Sequence, residues 1–160
     1  MSDPAEPFVH PLADVAAGVD IGTGTRVWQF AIVLAGARIG RECNVCAHTL
    51  VEGGVTIGDR VTVKSGVYLW DGVVIEDDVF LGPACIFTND SHPRSRMRKP
   101  YPTTLVERGA SIGAGAVILP GLTIGAGAMI GAGAVVTKSV PAGETWIGNP
   151  ARPRRPEAVS

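Results

Sequence analysis

Aliphatic residues recur every sixth position along most of this chain. Val9, Val15, Ile21, Val27, Val33 and Ile39 open a series that runs without a polar residue to Phe87. It resumes at Val106 and continues through Ile112, Ile118, Ile124, Ile130 and Val136. A second series, offset by four, holds small or branched residues: Val19, Thr25, Ala31, Ala37 and Cys43 onward to Cys85, then Ala110 to Val140. A beat of six matches neither the 3.6-residue helical period nor simple strand alternation. It requires a short strand plus a turn, repeated as the sides of a prism, which is the signature of a parallel β-helix. Three hexads close one triangular coil, so inward aliphatics form continuous columns spaced about 4.8 Å apart. Gly follows the aliphatic position after Ile21, Ile39, Ile57, Ile112, Ile124 and Ile130, and the expectation there is tight corners that favour a residue without Cβ.

The reading is one all-β domain over 1–160, with coils from 9 to 140 and about six to seven turns in all. Met1 to Phe8 is expected to cap one end. Residues 141–160, with Pro141, Pro150, Pro153 and Pro156, are expected to form an extended or capping tail rather than another coil. The core must be built from aliphatic and small side chains, because only 6% of residues are aromatic.

Lys and Arg number 14 against 15 Asp and Glu, so nothing in the charge favours nucleic acid or an anionic membrane as partner. No apolar run reaches the roughly 18 residues of a membrane span. The N-terminus lacks a basic segment followed by an apolar one, so the expected location is the cytoplasm. Cys43 and Cys46 form a lone C-x-x-C, read with Cys85 as reduced, packed thiols. The three His, at 10, 48 and 92, include no close pair, which argues against a zinc centre; no metal is expected.

The beat breaks once, between Phe87 and Val106. The excursion at 88–105 gathers Asn89, Asp90, His92, Arg94, Arg96, Arg98 and Lys99. Loops projecting from a rigid repeat are favoured places for function. The 18-residue register puts Trp70 and Asp71 one coil below Thr88 and Asn89, with Glu52 one coil further down. A pocket wall of Trp70, Asp71, Asn89 and Asp90 follows. Arg94, Arg96, Arg98 and Lys99 have the chemistry to hold a diphosphate. Lys138, Arg152, Arg154 and Arg155 form a second basic group, for which a coenzyme A phosphate is the candidate partner. His48 and His92 are the conventional general-base candidates.

The Ile-Gly-Ala-Gly-Ala blocks at 112–116, 124–128 and 130–134, with Gly148-Asn149-Pro150-Ala151, resemble the hexapeptide acyltransferase superfamily. Narrower blocks resemble its nucleotide-sugar amine N-acetyltransferases, especially those acting on dTDP-3-amino-3,6-dideoxyhexoses. They are Val27 to Phe30, Cys43 to His48, Ser65 to Gly72, and Phe87 to Asp90 with Pro93-Arg94-Ser95. The resemblance implies a left-handed parallel β-helix, a homotrimer, and active sites between subunits. It implies acetyl-CoA along the C-terminal coils, where Ala114, Ala132, Lys138, Asn149, Arg152 and Arg154 are the candidate contacts. The nucleotide sugar would sit near the loop, with Tyr68, Trp70, Asp71, Arg94 and Arg98 as candidate contacts. Asn89 matches the asparagine that meets the sugar amine in that family. Related UDP-amino-uronate enzymes tend to carry His where this chain has Gln29, and they lack an acid after the loop asparagine; both departures favour the dTDP branch. The rival readings are an O-acetyltransferase with a His base, an N-acetyltransferase for a UDP-linked or 4-amino sugar, and a trimeric scaffold without activity.

Overall fold

The structure, a computed structural model, describes residues 6–97 and 99–154. Among these, every regular element is a strand, twenty-two in all, each two or three residues long. They stack into three sheets of nine, seven and six strands. Phe8–Val9, Asp14–Val15 and Asp20–Ile21 begin the first, second and third faces. Each pairs in parallel with the strand one coil on, as in Val9 with Val27, Val15 with Val33 and Ile21 with Ile39. So the six-residue beat is a two-residue strand plus a corner, and the eighteen-residue stack is a ladder of parallel hydrogen bonds.

The aliphatic series points inward. Val27, Val45, Val63, Leu81, Ile112 and Ile130 form a fully buried column behind the first face. Val33, Val51, Leu69, Phe87, Ile118 and Val136 do so behind the second. Burying each such side chain is worth roughly 1.5–3 kcal/mol. The offset series lies near the prism's inner edges, where space is short. Two of its polar members keep their hydrogen bonds: Thr25 Oγ1 donates to Gly40 O (2.7 Å) and Thr49 Oγ1 to Cys46 O (2.7 Å).

Three expectations are corrected. The coil does not end at Val140: Trp146 stacks on Ile130 within Thr145–Ile147, giving the first face an eighth parallel rung. Its wide ring closes the prism where the aliphatic beat stops, with Nε1 donating to Glu144 Oε2 (2.7 Å). Arg152–Pro153 then turns back antiparallel and ends that sheet. At the other end Phe8 is already in the first strand, paired with Arg26, rather than in a cap. Third, the Gly after Ile is required by close approach of coils rather than by backbone conformation. A Cβ at Gly113 would lie 2.4 Å from Ala132 N, and one at Gly22 would lie 2.6 Å from Arg41 N. The left-handed backbone falls two residues later, at Gly24 and Gly115 but also at Phe30, Glu42 and His48.

The corner between the third and first faces carries a charge ladder that the aliphatic beat does not announce. Arg41 pairs with Asp59 (2.9 Å), Arg60 with Asp78 (2.6 Å) and Arg108 with Asp77 (3.0 Å). Asp59 also accepts from Arg41 N (2.8 Å), and Asp77 from Asp59 N (2.9 Å), so carboxylates bind the backbone of neighbouring coils. The Arg41 backbone N–H holds the Asp59 carboxyl below its usual range, and the Arg60 guanidinium does the same to Asp78. A depressed carboxyl pKa contributes stability that is present above the unfolded value, about 3.9, and is lost as pH falls below it. Thermal unfolding followed from pH 7 to pH 3 is therefore expected to show a drop in midpoint beginning below about pH 5. In Asp59→Asn/Asp78→Asn the drop should be shallower.

Candidate active site

Phe87 is the last inward residue before the interruption, and Thr88 is still in register. Its backbone N and its hydroxyl both donate to Ile118 O, each at 3.1 Å. The chain leaves the coil at Asn89 and returns at Thr104, whose N donates to Gly72 O (3.0 Å). The excursion is thus 89–103, narrower than the expected 88–105, because Thr104–Val106 is a third-face strand. Ile75 pairs with Val106, 31 residues on instead of 18, so the excursion inserts 13 residues into one corner rather than replacing a coil. It enters and leaves at the corner between the second and third faces.

The loop is organised around Asp90. Asp90 Oδ1 accepts from His92 N (2.7 Å) and pairs with Lys99. The Lys99 hydrogen bond, with that from His92 N, holds its carboxyl below the usual range. Ser91 Oγ lies 3.0 Å from the exposed His92 ring. Arg94 is exposed and bonds only locally, to Pro93 O (3.0 Å). Arg98 lies outside the described residues. Asn89 is half-buried, one residue beyond the anchored Thr88.

Beside the loop lies a groove of about 520 Å³ lined by Leu34, Glu52, Gly53, Gly54, Asp71, Lys99 and Tyr101. It spans the second corner over three coils, and Lys99 and Tyr101 of the returning loop complete its lining. Asp71 and Glu52 meet here one residue off the eighteen-residue stack: Glu52 Oε2 accepts from Asp71 N (2.7 Å). Trp70 turns elsewhere. Its Nε1 donates to Phe87 O (2.9 Å), and its ring meets Tyr68 edge-on at 6.0 Å. Trp70 therefore fastens the coil under the loop's first residue instead of walling the groove. Of the expected wall, Asp71 lines the groove, and Asp90 connects to it through Lys99.

His48 occupies the corner between the first and second faces, stacked on Phe30 at 5.1 Å. Phe30, Ile32, His48, Thr49, Leu50 and Tyr68 line an open apolar recess of about 340 Å³ on the second face. Ala114 and Ala132 stack on the same corner ridge, with Gly133 N donating to Ala114 O (2.9 Å). Asn149 completes that ridge: Gly148 O accepts from Val135 N (2.9 Å) and Ala151 N donates to Val135 O (2.8 Å). Lys138 sits on the other ridge, in the corner after Val135–Val136, and Arg152 and Arg154 lie on the terminal strand and just beyond it. The candidate coenzyme contacts are thus split between two ridges and the cap. Tyr68, half-exposed at 48%, stands on the face between the ridges.

Sequence reasoning passed over Leu34, Gly53, Gly54 and Tyr101. The doubled Gly at 53–54, in a corner where the coils at Gly18, Gly36, Gly72 and Gly121 carry one, was the available signal.

No Cys is placed for nucleophilic chemistry. Burial pushes the Cys85 thiol up to about 12 and raises that of Cys43, and Cys46 is half-buried. A thiol reagent at pH 8 is expected to titrate Cys46 alone in the folded protein and all three after denaturation. Rapid reaction of Cys85 would contradict this packing. Among the described residues no group of three His, Cys, Asp or Glu could hold a metal ion. No helix among them is long and apolar enough to cross a membrane.

Comparison with known proteins accords with this geometry. Residues 103–138 match the bacterial transferase hexapeptide family (six repeats), and residues 36–70 match the hexapeptide repeat of succinyl-transferase. The fold is a parallel β-helix of hexapeptide repeats, and the repeats that match are of the kind found in bacterial hexapeptide transferases. Over 53 residues the chain is 42% identical to an acyl-[acyl-carrier-protein]–UDP-N-acetylglucosamine O-acyltransferase of Brucella ovis, covering 33% of this chain but only 19% of that protein. The chain thus spans about a fifth of the length of the curated relatives it matches. A hexapeptide-repeat acetyltransferase of Vibrio cholerae, solved with acetyl coenzyme A, is 26% identical with a TM-score of 0.58, over 78% of this chain and 69% of that one. A GDP-perosamine N-acetyltransferase variant of Caulobacter crescentus, solved with CoA and GDP-perosamine, shares the fold (TM-score 0.68, 24% identity) over 96% of this chain and 58% of that one.

Proposed function

We propose that the chain is an acetyl-CoA-dependent N-acetyltransferase acting on the amine of a nucleotide-linked amino deoxysugar, with dTDP-3-amino-3,6-dideoxyhexose as first candidate. The observation that carries this is the second-corner groove. It offers the Asp71 carboxylate, held from behind by Glu52, and one tyrosine ring beside a polar loop, at a size suited to a sugar. The likeness to an acetyltransferase solved with acetyl coenzyme A supports that cosubstrate. The Ala114, Ala132 and Asn149 ridge is the proposed coenzyme track. A homotrimer, in which a neighbouring second face would bring one chain's ridge to another's loop, is part of the same proposal.

The sugar ammonium first gives its extra proton to bulk water, and the neutral amine then attacks the thioester carbonyl carbon. The C–S bond breaks as the amide forms, and the departing thiolate takes the proton lost by the nitrogen. Holding both substrates in line supplies much of the rate. Asn89 orients the amine, and a coil backbone N–H faces the oxyanion. Asp90, tied to Lys99, keeps the loop shaped around Asn89. Neither His48 nor His92 is required as a base, because an amine needs less activation than a hydroxyl. His48→Gln and His92→Gln are expected to cost less than about tenfold each in kcat, below the range of a general base. A hundredfold loss at His48 would favour the O-acetyltransferase reading instead.

The test mixes the protein with acetyl-CoA and dTDP-3-amino-3,6-dideoxyglucose or -galactose and follows free thiol. Thiol release with a product heavier by one acetyl group supports the proposal. Release with the hydroxyl parent of the sugar, and none with the amine, overturns it.

A further inference from the structure

In the groove, the Asp71 carboxylate lies in a notch that exists only because residue 54 has no side chain. A Cβ built at Gly54 would stand 1.6 Å from Asp71 Oδ1. The obstacle is the far end of a side chain rather than backbone, so an alanine there would displace the carboxylate and leave the coil in place. Gly53 behaves differently: its Cβ would meet the backbone oxygen of Ala35 at 2.3 Å. From the coil below, Glu52 Oε2 receives the Asp71 backbone N–H at 2.7 Å and fixes where the Asp71 side chain starts. Asp71, like the exposed Asp14 and Asp20, pairs with no cation among the described residues, and it alone of these three lines the groove. Asp59, Asp77, Asp78 and Asp90 each bind a cationic side chain. The Asp71 carboxylate receives no hydrogen bond from any described residue, and it lines the groove together with Tyr101.

We infer that Gly54 and Glu52 are positioning residues that hold the Asp71 carboxylate as the anionic contact for the acceptor's ammonium, the form in which a sugar amine arrives at neutral pH. This rests on the amino-sugar reading above. Glu52 acts through the backbone and Gly54 through the space it leaves, and neither needs to touch the substrate.

The experiment is a double-mutant cycle on the full chain, with acetyl-CoA and the dTDP-3-amino sugar, reading KM for each substrate and the unfolding midpoint. Asp71→Asn is expected to raise the acceptor KM by about tenfold or more, the worth of one charge-assisted hydrogen bond. Gly54→Ala should do the same with acetyl-CoA KM and midpoint unchanged, and should add nothing in the Asp71→Asn background. Glu52→Gln, which keeps an acceptor for Asp71 N, should stay near wild type, while Glu52→Ala should resemble Gly54→Ala. A wild-type acceptor KM in Gly54→Ala, or full additivity of Gly54→Ala with Asp71→Asn, overturns the inference while turnover by the parent protein keeps the amino-sugar reading. If Gly54→Ala unfolds, the Glu52 pair decides alone, and equal KM values for Glu52→Gln and Glu52→Ala overturn the inference. If the parent protein neither binds nor acetylates any amino sugar, reading and inference fall together.

Discussion

Replacing Phe87 with alanine is expected to destabilise the protein by about 3–5 kcal/mol, the usual cost of emptying a fully buried aromatic site. Phe87 is 1% exposed and stacks between Leu69 and Ile118 in the second-face column. The ladder cannot collapse into the vacancy, because each coil is held to the next by backbone hydrogen bonds on all three faces. Most of the cavity would persist. The position also matters locally. Phe87 O accepts the Trp70 indole N–H, and Thr88, the next residue, is the last anchored before the loop. Chemical denaturation should show the loss in the midpoint, and acceptor KM should rise even where the variant remains folded. A cost below about 1 kcal/mol would mean that the column relaxes, against the rigidity argued here.

The second large effect is expected at Asn89. Asn89→Ala should lower kcat for the amino sugar by about a hundredfold, the scale of losing one orienting contact at the reacting atom. Its KM for acetyl-CoA should stay unchanged. Asn89 begins the insertion one residue after a strand end tied twice to Ile118, so the backbone that carries it is fixed. Asp90→Asn should cost less than tenfold, because the asparagine oxygen still accepts from His92 N and only the Lys99 charge pairing is lost. If Asn89→Ala and Asp90→Ala both leave turnover unchanged, the loop is not the catalytic element.

The fold was legible because it is periodic. A hexad pattern leaves an aliphatic residue no place but the inside of a prism, and the same register stacks Glu52 beneath Trp70, one residue from the Asp71 N–H that it accepts. Where the period stops, pattern reasoning has nothing to count. Trp146 continues the first face by bulk rather than by beat, so the eighth rung was invisible in the sequence. The insertion shows in the broken beat, but its bounds, 89–103 rather than 88–105, depend on where Thr104 rejoins the third face. Which face Val106 joins depends on the ladder, not on the spacing.

By itself, then, the sequence determined the coil, its inward columns, the corner where polar chemistry gathers, and the likeness to hexapeptide-repeat transferases. Only the tertiary structure decided that Trp70 braces the coil, that Lys99 holds Asp90, that His48 lies on the opposite ridge from the loop, and that Tyr101 lines one groove with Glu52 and Asp71. The physical reason is that backbone pairing at a fixed period dictates where each coil residue stands. A side chain's direction, and the path of an aperiodic loop, are settled by contacts between residues whose spacing carries no signal.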